Sequence, residues 1–277
     1  MSGHVRAGRP GAIKASGFPA VLGTEFSKLR RSGITWITFA VFVFMVGVSA
    51  FFMWMMKHPG MAESLGLMGQ KAQMAIGGAE INWESYLGLV LEMCGIAGMM
   101  LASVILTYLF GREYVELTAK NMLALPVPRW QFVAAKLAVG ALWFAALTVW
   151  TVALVPAFGA LAGLGPLPAG LFVPTAGKIA IASLMGFACA VFAAWIAVET
   201  RGYLAPMGYA IFSMLLAVAI GATDWGRWAP WSILMWFTGA SGPEKELLPG
   251  SFAVVALFFG LGVSLILRHE TRADNAQ

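Results

Sequence analysis

Six apolar runs constrain this chain more than any other feature, at about residues 34–56, 86–110, 132–158, 172–198, 204–222 and 252–267. Roughly 20 apolar residues in a helix cross a hydrocarbon layer about 30 Å thick. Lipid offers no hydrogen bonds to a backbone N–H or C=O, so each run must satisfy its own backbone and is read as a helix. The expected fold is therefore all-α and integral to a membrane, with six transmembrane helices. Composition agrees. Only 11% of residues are charged and 60% are hydrophobic, against roughly 25% charged in a soluble domain.

The basic residues give the membrane its sides. With the N-terminus inside, Arg6, Arg9, Lys14, Lys28, Arg30, Arg31, Arg112, Lys120, Arg129, Lys136, Arg201, Arg268 and Arg272 fall on the inner side. Lys57, Lys71, Arg227 and Lys245 fall outside, so the balance is 13 to 4, with Lys178 within the fourth run. Cytoplasmic segments are the ones that gather Lys and Arg, which places both termini in the cytoplasm. This use of basic charge also accounts for the net charge of +5, so no nucleic-acid partner is expected. Cys94 and Cys189 lie within apolar runs and form no CxxC or Cys/His pattern, so neither zinc nor redox chemistry is indicated. A cleavable export signal is not expected either, because residues 1–20 are polar and the first apolar run is too long for a signal core.

Outside the membrane domain at 34–268, residues 1–19 and 269–277 read as tails, the first disordered. In the stretch 20–33, Val21 or Leu22, Phe26 and Leu29 recur at helical spacing, with Glu25, Lys28, Arg30 and Arg31 on other faces. This predicts a short basic amphipathic helix in the inner interface. The loop at 57–85 carries a weaker apolar stripe, Met61, Leu65, Met68, Ala72 and Ile76. The stretch Trp228–Ala240 is too short to span and contains Pro230. With Trp225, Trp228, Trp231 and Trp236, it predicts a re-entrant or interfacial hairpin at the headgroup boundary. In the last run, Ala256, Gly260 and Ser264 form a small-residue series suited to helix packing.

The stretch at 111–136, GREYVELTAKNMLALPVPRWQFVAAK, is the densest charged region between spans and lies on the inner side. Arg112, Glu113 and Glu116 close the second span. Leu117, Met122, Leu123 and Leu125 then alternate with Thr118, Lys120 and Asn121 on a short predicted helix, which Pro126 and Pro128 stop. Arg129 and Trp130 follow. Lys136 lies one turn into the third span, where its stem can snorkel to the interface. A short stiff helix that presents polar residues to the cytoplasm is suited to passing force to a soluble partner.

This stretch resembles the membrane subunits of ABC-2-type transporters, in particular permeases of export or immunity for peptide antibiotics such as bacitracin and lantibiotics. The residues that carry the resemblance are Arg112, Glu113, Tyr114, Glu116, Thr118, Lys120, Leu123, Leu125, Pro126, Arg129 and Lys136. Leu117 departs from it, standing where the family usually has glycine. The resemblance implies an amphipathic elbow helix, six spans, a cytoplasmic coupling helix between the second and third, and a re-entrant hairpin before the sixth. It further implies a dimer of permeases in a prokaryotic cytoplasmic membrane, with two ABC ATPase subunits beneath it. The coupling contact would use Arg112, Glu113, Glu116, Thr118, Lys120, Asn121, Leu123, Pro126 and Arg129. ATP and Mg²⁺ would be held by the partner: Gly177-Lys178 is followed by Ile179, and Phe172 occupies the place of the first Walker glycine, so the chain has no phosphate-binding loop. The expected function is a non-catalytic permease subunit exporting a hydrophobic or amphipathic substrate.

Glu92 and Lys178 lie at comparable depth in the second and fourth spans. A charge in a span is costly unless paired or hydrated, so the two are expected to pair or to line a substrate path. Glu199 and Arg201, at the inner end of the fourth span, read as a minor ATPase contact or an ordinary helix-end charge pair. A metal-dependent intramembrane enzyme would need His and Glu ligands within the spans, whereas His4, His58 and His269 all lie outside the predicted runs. A stand-alone carrier or immunity protein without an ATPase is the alternative. Such carriers often show repeat symmetry, and no internal repeat is evident here.

Overall fold

The computed structural model describes residues 17–58, 60, 80–117, 128–242 and 245–274. In chain order the helices are α1 (Phe18–Arg30), α2 (Gly33–Lys57), α3 (Trp83–Val115), α4 (Arg129–Leu161), α5 (Ala169–Thr200), α6 (Leu204–Gly221), α7 (Pro230–Thr238) and α8 (Pro249–Asp274), with a 3-10 helix at Asp224–Trp228 before α7. No strand occurs among the described residues. Helices α2, α3, α4, α5, α6 and α8 are six elements long and apolar enough to cross a membrane. The protein is thus an all-α integral membrane protein with six transmembrane helices. The tail before residue 17, the stripe from Met61 to Ile76, and the stretch 118–127 lie outside the described residues.

The long helices overrun the apolar runs that predict them. Helix α3 has 33 residues, or about 50 Å at 1.5 Å per residue, well beyond a hydrocarbon layer of about 30 Å. At one end Asn82 caps it, its side chain accepting from the Ser85 N–H at 2.9 Å. At the other, the polar turn Arg112–Val115 stays helical and Arg112 pairs with Glu116 one turn on, at 2.8 Å. Hydropathy finds where lipid ends, whereas a helix ends where its capping and side-chain pairs end.

Helices α3 and α5 form the centre. In the apolar stretch of each, 56% of residues are buried, against 28% in α6 and 22% in α8. Helix α5 presents Gly186, Ala190, Ala193, Ala194 and Ala197, all buried, and small residues let membrane helices approach closely. Helix α8 meets α5 at Gly262, where a Cβ would lie 2.9 Å from Val191 Cγ1. The small-residue series of the sequence reading faces the other way: Ala256 and Gly260 are exposed, and α8 packs through Ser251, Val255, Gly262 and Ile266.

The tryptophan-rich stretch divides its residues. Trp225 and Trp228 are exposed. Trp236 is buried and donates from Nε1 to the Gly221 carbonyl at 2.9 Å, and Trp231 donates to the Tyr209 hydroxyl at 3.1 Å. Nine-residue α7 is too short to cross a membrane and is held against α6 by these bonds and by Ser232 Oγ, which donates to the Ala217 carbonyl at 3.2 Å.

Candidate functional site

The antiparallel course of the chain brings α1, the start of α2, the end of α3, the start of α4, the end of α5 and the end of α8 to one end of the bundle. Thr118, Lys120, Asn121, Leu123 and Pro126 lie outside the described residues. The flanks of that stretch are described, and a collar of charged groups surrounds them.

The innermost member is Lys136 of α4. It is 5% exposed, so it does not snorkel outward. An ammonium has three hydrogens to donate, and Lys136 donates to the Leu109 carbonyl at 2.7 Å, to Glu113 Oε1 at 2.8 Å and to Glu25 Oε2 at 3.2 Å. Lys28 completes the group, donating to Glu25 Oε1 at 2.6 Å and Glu113 Oε1 at 3.3 Å. Two ammoniums and two carboxylates from α1, α3 and α4 therefore share one site with no net charge. Burial pushes the Glu25 carboxyl up, but Lys136 and Lys28 outweigh it and hold the group below the usual carboxylate range. Burial likewise disfavours the Lys28 ammonium, and Glu25 and Glu113 outweigh it and hold that group above the usual lysine value. Both groups of α1 are therefore charged at neutral pH.

Helix α1 places Glu25 there by simple periodicity. Val21, Glu25 and Leu29 recur every fourth residue and are its buried face, Glu25 being 2% exposed, while Phe26 is 44% exposed. Val21 and Leu29 lie on the stripe that the sequence predicts, but Glu25 takes the place expected of Phe26 on it, because it finds its cations inside.

Around this core a second set of contacts ties in α8 and α5. Arg112 bonds Glu116 and reaches the Lys28 carbonyl at 3.5 Å. Arg129 Nη1 donates to the Glu270 carbonyl at 3.1 Å and lies 3.7 Å from its carboxylate. The Tyr114 hydroxyl donates to Glu270 Oε1 at 3.4 Å. Glu199, at the end of α5, pairs with His269 of α8 at 2.8 Å, and Arg201 caps α5 with φ of +52°. Among the expected coupling residues, Arg112, Glu113, Glu116 and Arg129 therefore stand in one neighbourhood. Glu25, Lys28, His269 and Glu270 belong with them and were not singled out from sequence. Glu25 was detectable from its i±4 relation to Val21 and Leu29; Glu270 carried no local signal.

Glu92 and Lys178 are not brought together as an ion pair. Glu92 is half-buried on α3, with one carboxylate oxygen facing Gly239 at the end of α7, and Lys178 is exposed on α5. Among the described residues no group of three or more His, Cys, Asp or Glu is arranged to hold a metal ion.

A family model described as ABC-2 family transporter protein matches residues 21–217. The chain belongs to the ABC-2 transporter family. The bacitracin transport permease protein BCRB of Bacillus licheniformis is 25% identical over 180 residues, 65% of this chain and 86% of that protein. No solved structure matches the chain. The stretch matched to the ABC-2 family carries Glu25, Lys28, Glu113 and Lys136, and stops before the α8 residues His269 and Glu270. The helix that carries Glu113 ends at a strained residue, Leu117. Its φ is +56°, in the left-handed region that glycine occupies freely and that costs other residues roughly 1–2 kcal/mol. An exposed leucine thus ends α3 in a turn that a glycine would adopt without strain.

Proposed function

We propose that this ABC-2 permease is the membrane-spanning subunit of an ATP-driven exporter, worked by separate ATPase subunits that engage the stretch between Glu116 and Arg129. Two permeases pair over two ATPases, both termini lie on the ATPase side in the cytoplasm, and ATP and Mg²⁺ are bound by the ATPases and not by this chain. Helix α1 acts as the elbow in the interface, and the segment from the 3-10 helix through α7 as the hairpin before the last span. The exported substrate is hydrophobic or amphipathic, of the peptide-antibiotic or lipid-like kind. Glu92 and Lys178 line the substrate path separately, and Glu199 and Arg201 make the minor contact.

One observation carries the reading. The residues bounding the 118–127 stretch, at the end of α3 and the start of α4, are locked by Glu113 and Lys136 to each other and to α1. Arg129 adds α8. A push on that stretch is thus delivered to four helices at once. Packed and hydrogen-bonded interiors pass displacement on, because they do not deform continuously.

The test is capture of the tagged full chain from native membranes, followed by flux measurements in inverted vesicles. The expected result is a co-purifying ATPase with Walker motifs and ATP-dependent uptake of an amphipathic peptide, with Glu116→Lys lowering both. If no ATPase is retained and flux ignores ATP, the exporter reading fails and a carrier without an ATPase replaces it.

A further inference from the structure

Between α1 and the last two turns of α3 lies a cavity of about 300 Å³, lined by Thr24, Ser27, Lys28, Arg31, Ser32, Tyr108 and Arg112. Three of these seven residues are cations and none is a carboxylate. Lys28 and Arg112 already hold carboxylates that lie outside this lining, so among the described residues the charge left uncompensated here is that of Arg31. Lys28 spends two of its three hydrogens on Glu25 and Glu113, Arg112 spends Nε on Glu116, and Arg31 has no ion-pair partner among the described residues. The Ser27 and Tyr108 hydroxyls make no hydrogen bond among the described residues, whereas Thr24 and Ser32 donate to the Ala20 and Leu29 carbonyls. The Arg112 guanidinium sits 5.6 Å over the Tyr108 ring, which holds it at the cavity wall. The lining is therefore rich in donors without acceptors, and its matching ligand is an anion that only accepts.

The level of the cavity narrows the choice. Ser32 immediately precedes the first residue of α2, and Tyr108 and Arg112 flank the end of the second apolar run at residue 110. Both spans leave the hydrocarbon there, at headgroup depth. Arginine forks match phosphate oxygens in twos, and basic pockets beside membrane helices hold anionic headgroups.

We propose that this cavity binds a phosphate group, carried either by an anionic phospholipid of the adjacent leaflet or by a soluble phosphate. Phosphate there bridges Arg31 to Arg112 and Lys28, so it braces α1 against α3.

Two arms distinguish the sources. In the first, the full-length chain in detergent is titrated with phosphatidylglycerol and the bound lipid is counted by native mass spectrometry. In the second, lipid-free protein is titrated with inorganic phosphate and its thermal midpoint is followed. Arg31→Gln removes an exposed side chain and should weaken binding about tenfold, the loss of a charge-assisted hydrogen bond. Arg30→Gln, an exposed neighbour off the lining, should leave it unchanged. Tyr108→Phe keeps the ring under Arg112, removes one donor, and carries the same test should Arg31→Gln fail to fold. Response to the lipid alone assigns the headgroup, and response to inorganic phosphate assigns the soluble ligand. Binding in neither arm, or equal weakening by Arg30→Gln and Arg31→Gln, overturns the proposal. Neither arm uses an ATPase, so the exporter reading stands or falls separately.

Discussion

Replacing Lys136 with Met tests the collar most directly. Methionine has nearly the same length and no charge, so the change removes the ammonium with little change of shape. Glu25 and Glu113 are then left with Lys28 alone, and one negative charge stays uncompensated in a place where Glu25 is 2% exposed. Removing one partner of a buried ion pair costs roughly 3–5 kcal/mol. For a chain of this size, each kcal/mol moves a thermal midpoint by about 2–4 °C, so Lys136→Met should lower it by about 10 °C. The double variant Lys136→Met/Glu25→Gln restores neutrality, since Glu113 keeps Lys28. What remains lost is hydrogen bonding worth about 1 kcal/mol per bond. The double variant should therefore melt above the single one, with a coupling energy of roughly 1–3 kcal/mol. The assay is tryptophan fluorescence on heating the purified full-length chain at neutral pH. If the two substitutions add, or if Lys136→Met moves the midpoint by less than about 2 °C, the four groups do not act as one unit and the coupling argument loses its basis.

The pH dependence of the collar has a defined sign. The folded Glu25 carboxyl titrates below its ordinary value, so its contribution is complete above about pH 4.5 and fades as pH falls through the lowered value. Lys28 titrates above its ordinary value of 10.5, so its contribution is complete below that and fades as pH rises through the raised value; a melting profile should be flat from these groups between about pH 5 and 10, and Glu25→Gln should remove part of the acid limb. Leu117→Gly should relieve the left-handed turn and raise stability by about 1 kcal/mol, read as a higher midpoint, whereas Leu117→Val should lower it. Gly262→Leu should force α8 from Val191 and Phe192 of α5 and cost about 1–3 kcal/mol by overpacking, while the same change at Gly260, which meets nothing within 4 Å, should be close to neutral. Glu199→Gln should cost less than about 1 kcal/mol, because the Glu199 side chain is 55% exposed and its pair with His269 is solvated.

The membrane spans were legible because the signal that defines them, continuous apolarity, is local. Every run from 34–56 to 252–267 lies on a helix that is long and apolar enough to cross, and the helix ends differ by the polar turns that hydropathy cannot score. The residues of the collar were only half legible. Arg112, Glu113, Glu116 and Arg129 crowd together in sequence, and charge density together with the ABC-2 resemblance points to them. Glu25, 111 positions from Lys136, and Glu270, 141 from Arg129, are joined to them by tertiary contact. Charge misled at Glu25 and Lys136 in the same way. An isolated charge keeps off an apolar stripe or reaches for the interface, and each of these two is buried because it is not isolated.

That pairing bears on why a protein with 11% charged residues gathers four of them in one place and buries two, Glu25 and Lys136. Apolar packing among lipid-facing helices discriminates poorly between partners, because tails and side chains are alike in polarity. A buried ammonium with three acceptors in fixed directions accepts only one arrangement of α1, α3 and α4, and misplacing any of them leaves a bare charge. The collar is therefore better understood as a device of register than of net stability, since an all-apolar replacement of similar volume is often no less stable. If register is its role, a quadruple variant with Glu25, Lys28, Glu113 and Lys136 all made apolar should keep its thermal midpoint within about 2–4 °C of the parent yet show faster hydrogen exchange along α1. A quadruple variant whose α1 amides remain as protected as in the parent would show that packing alone sets the register, leaving these charges without that role.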